Sequence, residues 1–245
     1  MINGKLASLE GYILSVSKNK DSSAVISLLT KDGIYTISAY DAFKTTSKFY
    51  QATLIFNKVI FEVTENNSTY FLKGVKTLIN YTNLYSDILI SCSIQMLIEI
   101  TLKTHYEEDA VCYDFFEACV KGIANKFDPL TLVYIYFCQI AKINGLGPII
   151  SNCVNCSRKD HIVSFDFYEG GYLCDECAKE LNYPPKDINY LKIIKYGFLV
   201  SLKDIYHAKL PTSSLKIVLF DLIKFLEDEL GFKLNSYNVF KDVLK

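Results

Sequence analysis

The chain has 245 residues, half of them hydrophobic, with 26 basic against 27 acidic side chains and a formal net charge of −1. That length and apolar content are enough for a sizeable core in one or two domains. The longest charge-free apolar runs, Ile88 to Ile98 and Pro129 to Ala141, are shorter than a membrane span, and no targeting peptide or low-complexity tract is visible. The expected class is therefore a soluble globular protein of the cytoplasm with no membrane partner.

The charge is unevenly spread. Residues 1–80 carry nine lysines and six acids, a net of +3, while the rest of the chain carries a net of −4. A mildly basic N-terminal part is compatible with a phosphate backbone as partner. Arg158 is the only arginine, so bidentate reading of guanine is hardly available and any nucleic-acid binding should be largely sequence-blind.

In chain order, residues 1–80 read as five short strands. Tyr12, Leu14 and Val16 alternate with Ile13, Ser15 and Ser17, and Ala24 to Thr30 is a second run. Lys31-Asp32-Gly33 is a hairpin turn into Ile34 to Tyr40, because glycine tolerates the positive φ such a turn needs. Leu54 to Thr64 and Thr69 to Leu78 follow, separated by Glu65-Asn66-Asn67-Ser68. Five short strands with little helix between them predict a small closed barrel of the OB type, with an SH3-like barrel as the nearest alternative.

The period changes near Asn80. Leu84, Ile88, Leu89, Cys92, Met96 and Ile100 form one helical stripe, and Val111, Phe115, Phe116, Cys119, Val120 and Ile123 form another. Asp128-Pro129 is a cap followed by proline at the first helical position, opening a helix apolar on nearly every side that Gly145 and Gly147 stop. Asp187 to His207 follows the zinc module. Beyond Pro211 a helix runs from Ser213 or Ser214 to Leu230, ended by Gly231, and a short helix from about Ser236 closes the chain. The expected architecture is α+β: an OB-like barrel over 1–80, then a helical domain over 81–245 with a zinc module at 151–180.

The module is read from Cys153-Val154-Asn155-Cys156 and Cys174-Asp175-Glu176-Cys177, two Cys-x-x-Cys knuckles with seventeen residues between Cys156 and Cys174. Each knuckle supplies two thiolates, and the intervening loop is long enough for a short hairpin that brings the two corners together at one tetrahedral zinc. A redox pair would instead sit after a strand at a helix start, and no βαβ pattern surrounds either knuckle. Cys92, Cys112, Cys119 and Cys138 stand singly in helical patterns and read as core. Four sulfurs leave no position for water, so one structural zinc per chain is expected, held by Cys153, Cys156, Cys174 and Cys177.

The order of barrel, helical bundle and inserted four-cysteine module resembles the DNA repair protein RecO family. Four local matches carry it: Asp21-Ser22-Ser23 with Leu28-Leu29-Thr30 and Gly33; Gly145-Leu146-Gly147-Pro148; Gly170-Gly171-Tyr172-Leu173-Cys174; and Leu230-Gly231-Phe232-Lys233-Leu234-Asn235-Ser236. The resemblance implies a recombination mediator that binds single- and double-stranded DNA and anneals complementary strands. It also implies action on strands coated with single-strand-binding protein, work with RecR to load the recombinase RecA, and association with the nucleoid during repair.

The family's segment after the third strand tends to be rich in basic and small residues. Here it offers Lys44 and Lys48 with Asp41 among them, so intrinsic DNA binding is expected to be weaker than the family's. Lys18 and Lys20, after the first strand, are the other phosphate candidates, and Tyr40 and Phe43 are placed to stack on bases. Catalysis is not expected: His105, His161 and His207 form no His-Glu-x-x-His or His-x-Glu pattern, and no phosphate-binding Gly-x-x-x-x-Gly-Lys occurs. The alternative function is a zinc-ribbon RNA- or protein-binding factor of the transcription or translation machinery, which would gain from contacts to the 2′-hydroxyl.

Overall fold

A computed structural model describes residues 5–19, 22–44, 46–104 and 109–244. The chain divides into two compact units, residues 1–94 with 108–114 and residues 95–107 with 115–245. Among the described residues, no helix is long and apolar enough to cross a membrane.

The first unit contains five strands, β1 (Lys5–Lys18), β2 (Ala24–Thr30), β3 (Gly33–Ala39), β4 (Lys58–Asn66) and β5 (Thr69–Ile79), closed into a barrel in the order β1-β2-β3-β5-β4. Each neighbouring pair is antiparallel except β3 and β5, which meet in parallel at Ile37 with Tyr70 and Ser38 with Phe71. Long β1 serves two partners: Lys5 to Tyr12 pair with β4, and Tyr12 to Lys18 pair with β2, with a register shift between Ile13 and Ser15. Gly11 makes the crossing possible, since a Cβ there would lie 2.1 Å from the Leu29 carbonyl oxygen. The β2–β3 turn is tied by Thr30, whose Oγ1 accepts the Asp32 N–H at 3.1 Å and donates to the Gly33 carbonyl at 3.0 Å. Ile13, Ile26, Leu28, Ile37, Val59, Phe61 and Val63 fill the barrel, all inaccessible to solvent.

The fourth strand begins at Lys58, four residues later than the apolar run from Leu54 predicts. Tyr50–Thr53 form a 3-10 turn, and Phe56 takes a positive φ of 74°, which a strand cannot contain. Phe56 and Asn57 instead bond to Ile13, the Phe56 N–H donating to its carbonyl at 2.7 Å and the Asn57 carbonyl accepting its N–H at 3.1 Å.

Seven helices follow: α1 (Ile88–Lys103), α2 (Asp109–Ala124), α3 (Pro129–Ile143), α4 (Asp175–Glu180), α5 (Ile188–Leu199), α6 (Thr212–Leu230) and α7 (Asn235–Val243). The α1 stripe starts at Ile88 rather than Leu84, because Thr82–Ser86 is a 3-10 turn. In the second unit α3 is buried from Leu130 to Ala141, and Asp128 caps it by accepting the Thr131 N–H at 3.1 Å. It packs on α5 so closely that a Cβ at Gly197 would lie 2.5 Å from the Tyr134 ring, whose hydroxyl donates to the Ile193 carbonyl at 2.9 Å. Helix α5 ends at Leu199, and Ser201 to His207 form turns in which the Tyr196 hydroxyl donates to the Asp204 carbonyl.

Gly231, with φ 70°, terminates α6. The first turn of α7 is held by Glu99 of α1, which accepts from the backbone N–H groups of Asn235 and Ser236 at 2.8 Å each and from Ser236 Oγ at 2.6 Å. Between α3 and α5 lies a small sheet of β6 (Ile149–Cys153), β7 (Ile162–Asp166) and β8 (Gly171–Cys174) in the order β6-β8-β7, with β7 antiparallel and β6 parallel to β8.

Candidate metal centre and nucleic-acid face

The four cysteines of the two knuckles converge. Cys153 ends β6 and begins a tight turn, its N–H donating to the Arg158 carbonyl at 2.7 Å and its carbonyl accepting from Ser157 at 2.9 Å. Ser157 takes a φ of 64° to close that turn. Cys174 ends β8 and stands at the N-cap of α4, which carries Cys177 one turn on. The two corners are brought together by the β6–β8 pairing and by the Val154 N–H, which donates to the Tyr172 carbonyl at 2.8 Å. Gly170 and Gly171 have a physical reason here. Gly170 turns the chain at φ 84°, and a Cβ on Gly171 would lie 2.2 Å from the Ile149 carbonyl oxygen.

The four sulfurs all lie within 4.8 Å of one another, with Cys156 and Cys174 at 3.6 Å. Zinc bound at about 2.3 Å to four tetrahedral sulfurs requires sulfur–sulfur spacings of about 3.8 Å, so the donor set fits that ion. All eight cysteines are free thiols. Burial disfavours the Cys153 thiolate, but backbone N–H groups of Cys156, Cys174 and Asn155 outweigh it and bring the thiol down to about 6. The Asn155 amide, 3.4 Å from Cys177 Sγ, favours that thiolate, yet burial and the three neighbouring sulfurs push it up to about 12. Four thiols at this spacing cannot all ionise unaided; a divalent cation among them removes the conflict.

Cys153, Cys174 and Cys177 are buried in a small apolar cluster with Leu173 and Ala178, against which Ile162, Val163 and Tyr183 pack, whereas Cys156 is exposed. Arg158 ties the two knuckles from outside, its Nη2 2.9 Å from Glu176 and its Nη1 3.5 Å from Asp175. Its position between the knuckles, opposite the acids of the second, was the available sequence signal. His161 contributes its backbone instead of its ring, accepting the Asp175 N–H at 3.0 Å. The isolated cysteines behave differently: Cys112, Cys119 and Cys138 are buried, Cys92 is half-buried, and burial raises the Cys92, Cys119 and Cys138 thiols.

At one end of the barrel the register aligns Lys18 with Ala24 and Ala24 with Ala39, so that Lys18 and the start of the segment after β3 stand at the same rim with β2 between them. The Phe43 N–H donates to the Ser22 carbonyl at 3.0 Å, joining the two loops. A cleft of about 520 Å³ opens there, lined by Asn19, Ser23, Ala24, Ser38, Tyr40 and Asp41. Tyr40 is 61% exposed and stacks on Phe71 with ring centroids 5.8 Å apart and planes 5° apart. Phe43 and Tyr50 are also exposed. Lys44 pairs with Asp41 at 2.9 Å, which partly neutralises it, and Lys48 lies 4.9 Å over the Phe49 ring. Lys20 falls outside the described residues, as does His105. Phe71 is an aromatic of this face that sequence reasoning missed, because it sits in a strand whose alternation does not reveal which neighbour its ring meets.

Residues 85–238, more than half of the chain, match the family described as recombination protein O C terminal. Among curated proteins, the DNA repair protein RecO of Exiguobacterium sibiricum is 24% identical over 174 residues, covering 70% of this chain and 70% of that protein. The RecO of Listeria welshimeri is 22% identical over 199 residues, covering 79% and 77%. That of Oceanobacillus iheyensis is 22% identical over 241 residues, covering 96% and 92%. A solved structure of asparaginyl-tRNA synthetase from Pyrococcus horikoshii aligns at 11% identity over 74% of this chain and 42% of that one, with a TM-score of 0.30 too low to carry an argument. A match that runs from the helices before the cysteine knuckles to the last helix, with relatives aligned along most of their length, makes this chain a member of the recombination protein O family.

Proposed function

We propose that this protein acts in DNA repair and recombination as a non-enzymatic mediator, binding single- and double-stranded DNA, annealing complementary single strands, and helping RecR to load the recombinase RecA on strands coated with single-strand-binding protein. The observation that carries this reading is the alignment of a DNA repair protein RecO along 96% of the chain, barrel and knuckles included. The barrel, read as an OB-type fold, supports it with exposed Tyr40, stacked on half-buried Phe71, and lysines at one rim, the combination by which such barrels stack bases and track phosphates. The four cysteines, read as holding one structural zinc, keep the strand ends and α4 of the module together; zinc would supply folding energy there.

The test is annealing of complementary oligonucleotides, each coated with single-strand-binding protein. The expected result is a clear acceleration over the coated strands alone, without added nucleotide. No acceleration, together with tighter binding to a structured RNA than to single-stranded DNA, would favour an RNA-binding factor instead.

A further inference from the structure

We propose that Cys156 is a modification site, a peroxide-sensitive sulfur at which the metal centre opens, with Cys174 as the sulfur that resolves it. Within the four-cysteine group, solvent reaches Cys156 while Cys153, Cys174 and Cys177 are buried. Its corner is a tight turn, and the Asn155 side-chain amide is directed at Cys177. The exposed sulfur of such a group is the one that a small oxidant meets first.

The Cys174 sulfur lies 3.6 Å from that of Cys156, within reach to act as the resolving partner. A disulfide of about 2.05 Å needs the two sulfurs to close by roughly 1.5 Å. The chemistry balances with hydrogen peroxide as the oxidant. The Cys156 sulfur attacks one peroxide oxygen, the O–O bond breaks, and hydroxide leaves to be protonated to water. The Cys156 sulfenic acid is then attacked by the Cys174 sulfur, the S–O bond breaks, and a second water leaves. Two sulfurs have together lost two electrons and peroxide has gained them. A donor set reduced to Cys153 and Cys177 no longer encloses an ion, so the metal is released.

The release step rests on the reading of these cysteines as a zinc site, whereas the order of reactivity rests on exposure and distance alone. The experiment treats full-length protein with hydrogen peroxide, blocks remaining thiols with N-ethylmaleimide, maps the peptides by mass spectrometry, and follows released zinc with a chromogenic chelator. The expected first product is a Cys156–Cys174 linked peptide, appearing at the rate of zinc release and before any change at half-buried Cys92. A Cys156→His variant, which keeps a three-cysteine, one-histidine set, should hold zinc and slow its peroxide-driven release by about tenfold or more. A first product lacking Cys156, a Cys153–Cys156 bridge, or release from a metal-loaded Cys156→His variant at the parent rate would overturn the proposal. If purified protein contains no zinc, the metal reading fails by itself, and the peptide map still decides whether Cys156 reacts first and pairs with Cys174. The parent's map also decides the matter should the histidine variant fail to fold.

Discussion

The four-cysteine module and the barrel rim hold their side chains by different means. In the module, two knuckles of four residues each fix their own sulfurs locally, and a short sheet with two glycines brings the knuckles together. At the rim, Lys18 ends β1 while Tyr40 and Lys44 follow β3, and the register of β1, β2 and β3 brings them to one end of the barrel. The sulfurs are close-packed and mutually dependent, while the rim side chains are exposed and largely independent. Loss of one member should therefore be severe in the first region and graded in the second.

The largest expected effect follows from breaking the sulfur set. Cys174→Ser removes a buried sulfur at the start of α4 and should destabilise the module by roughly 4 kcal/mol or more, read as loss of bound zinc and new proteolysis between residues 149 and 180. Fragments of the barrel should survive the same digestion, because its core is separate. Next come two glycines that test whether the regions can be broken one at a time. Gly171→Ala and Gly11→Ala each drive a Cβ into a backbone carbonyl, at 2.2 Å and 2.1 Å, and each should cost about 2–3 kcal/mol. Hydrogen exchange should show the first loosening the module and the second the barrel; the reverse assignment would break the comparison.

The sequence revealed the two regions unequally, for physical reasons. Cysteine spacing is a local property, so the four sulfurs could be named without knowing the fold. The β2–β3 hairpin was legible for the same reason, since Gly33 marks a turn between adjacent strands. Closure of the barrel by β3 and β5, and the Tyr40–Phe71 stack it creates, depend on pairing across more than thirty positions and left no periodic trace. The apolar run from Leu54 looked like strand because period alone cannot report the positive φ at Phe56.

A smaller effect concerns pH. Burial raises the Glu99 carboxyl, but the hydrogen bonds from Ser236, Asn235 and Lys103 outweigh it and hold the group below the usual carboxylate range. Its folded-state value is depressed, so its contribution is complete above about pH 4.3, the ordinary unfolded value, and is lost as pH falls through the lower folded one. Docking of α7 should loosen in that acid window, and Glu99→Gln should flatten the dependence at a cost of about 1 kcal/mol near neutral pH. Amide exchange at Asn235 and Ser236 across that range measures it.

The smallest effect belongs to the rim. Replacing Lys18, Lys44 and Lys48 by alanine should weaken binding to mixed-sequence single-stranded DNA by about threefold to tenfold and lower the salt slope by about 1 to 2, evenly across sequences. Asp41→Ala, which frees Lys44 from its 2.9 Å pair, should instead strengthen binding slightly.

The most direct measurement of the central claim, a metal that holds structure and a separate rim that holds DNA, is single-strand affinity before and after zinc removal by a chelator under reducing conditions. The module is expected to lose its protection from protease while affinity stays within about twofold, as it should if the proposed phosphate contacts at the rim do not depend on the metal. Affinity falling by about tenfold or more while the barrel remains folded would contradict it, placing the DNA site at the metal module.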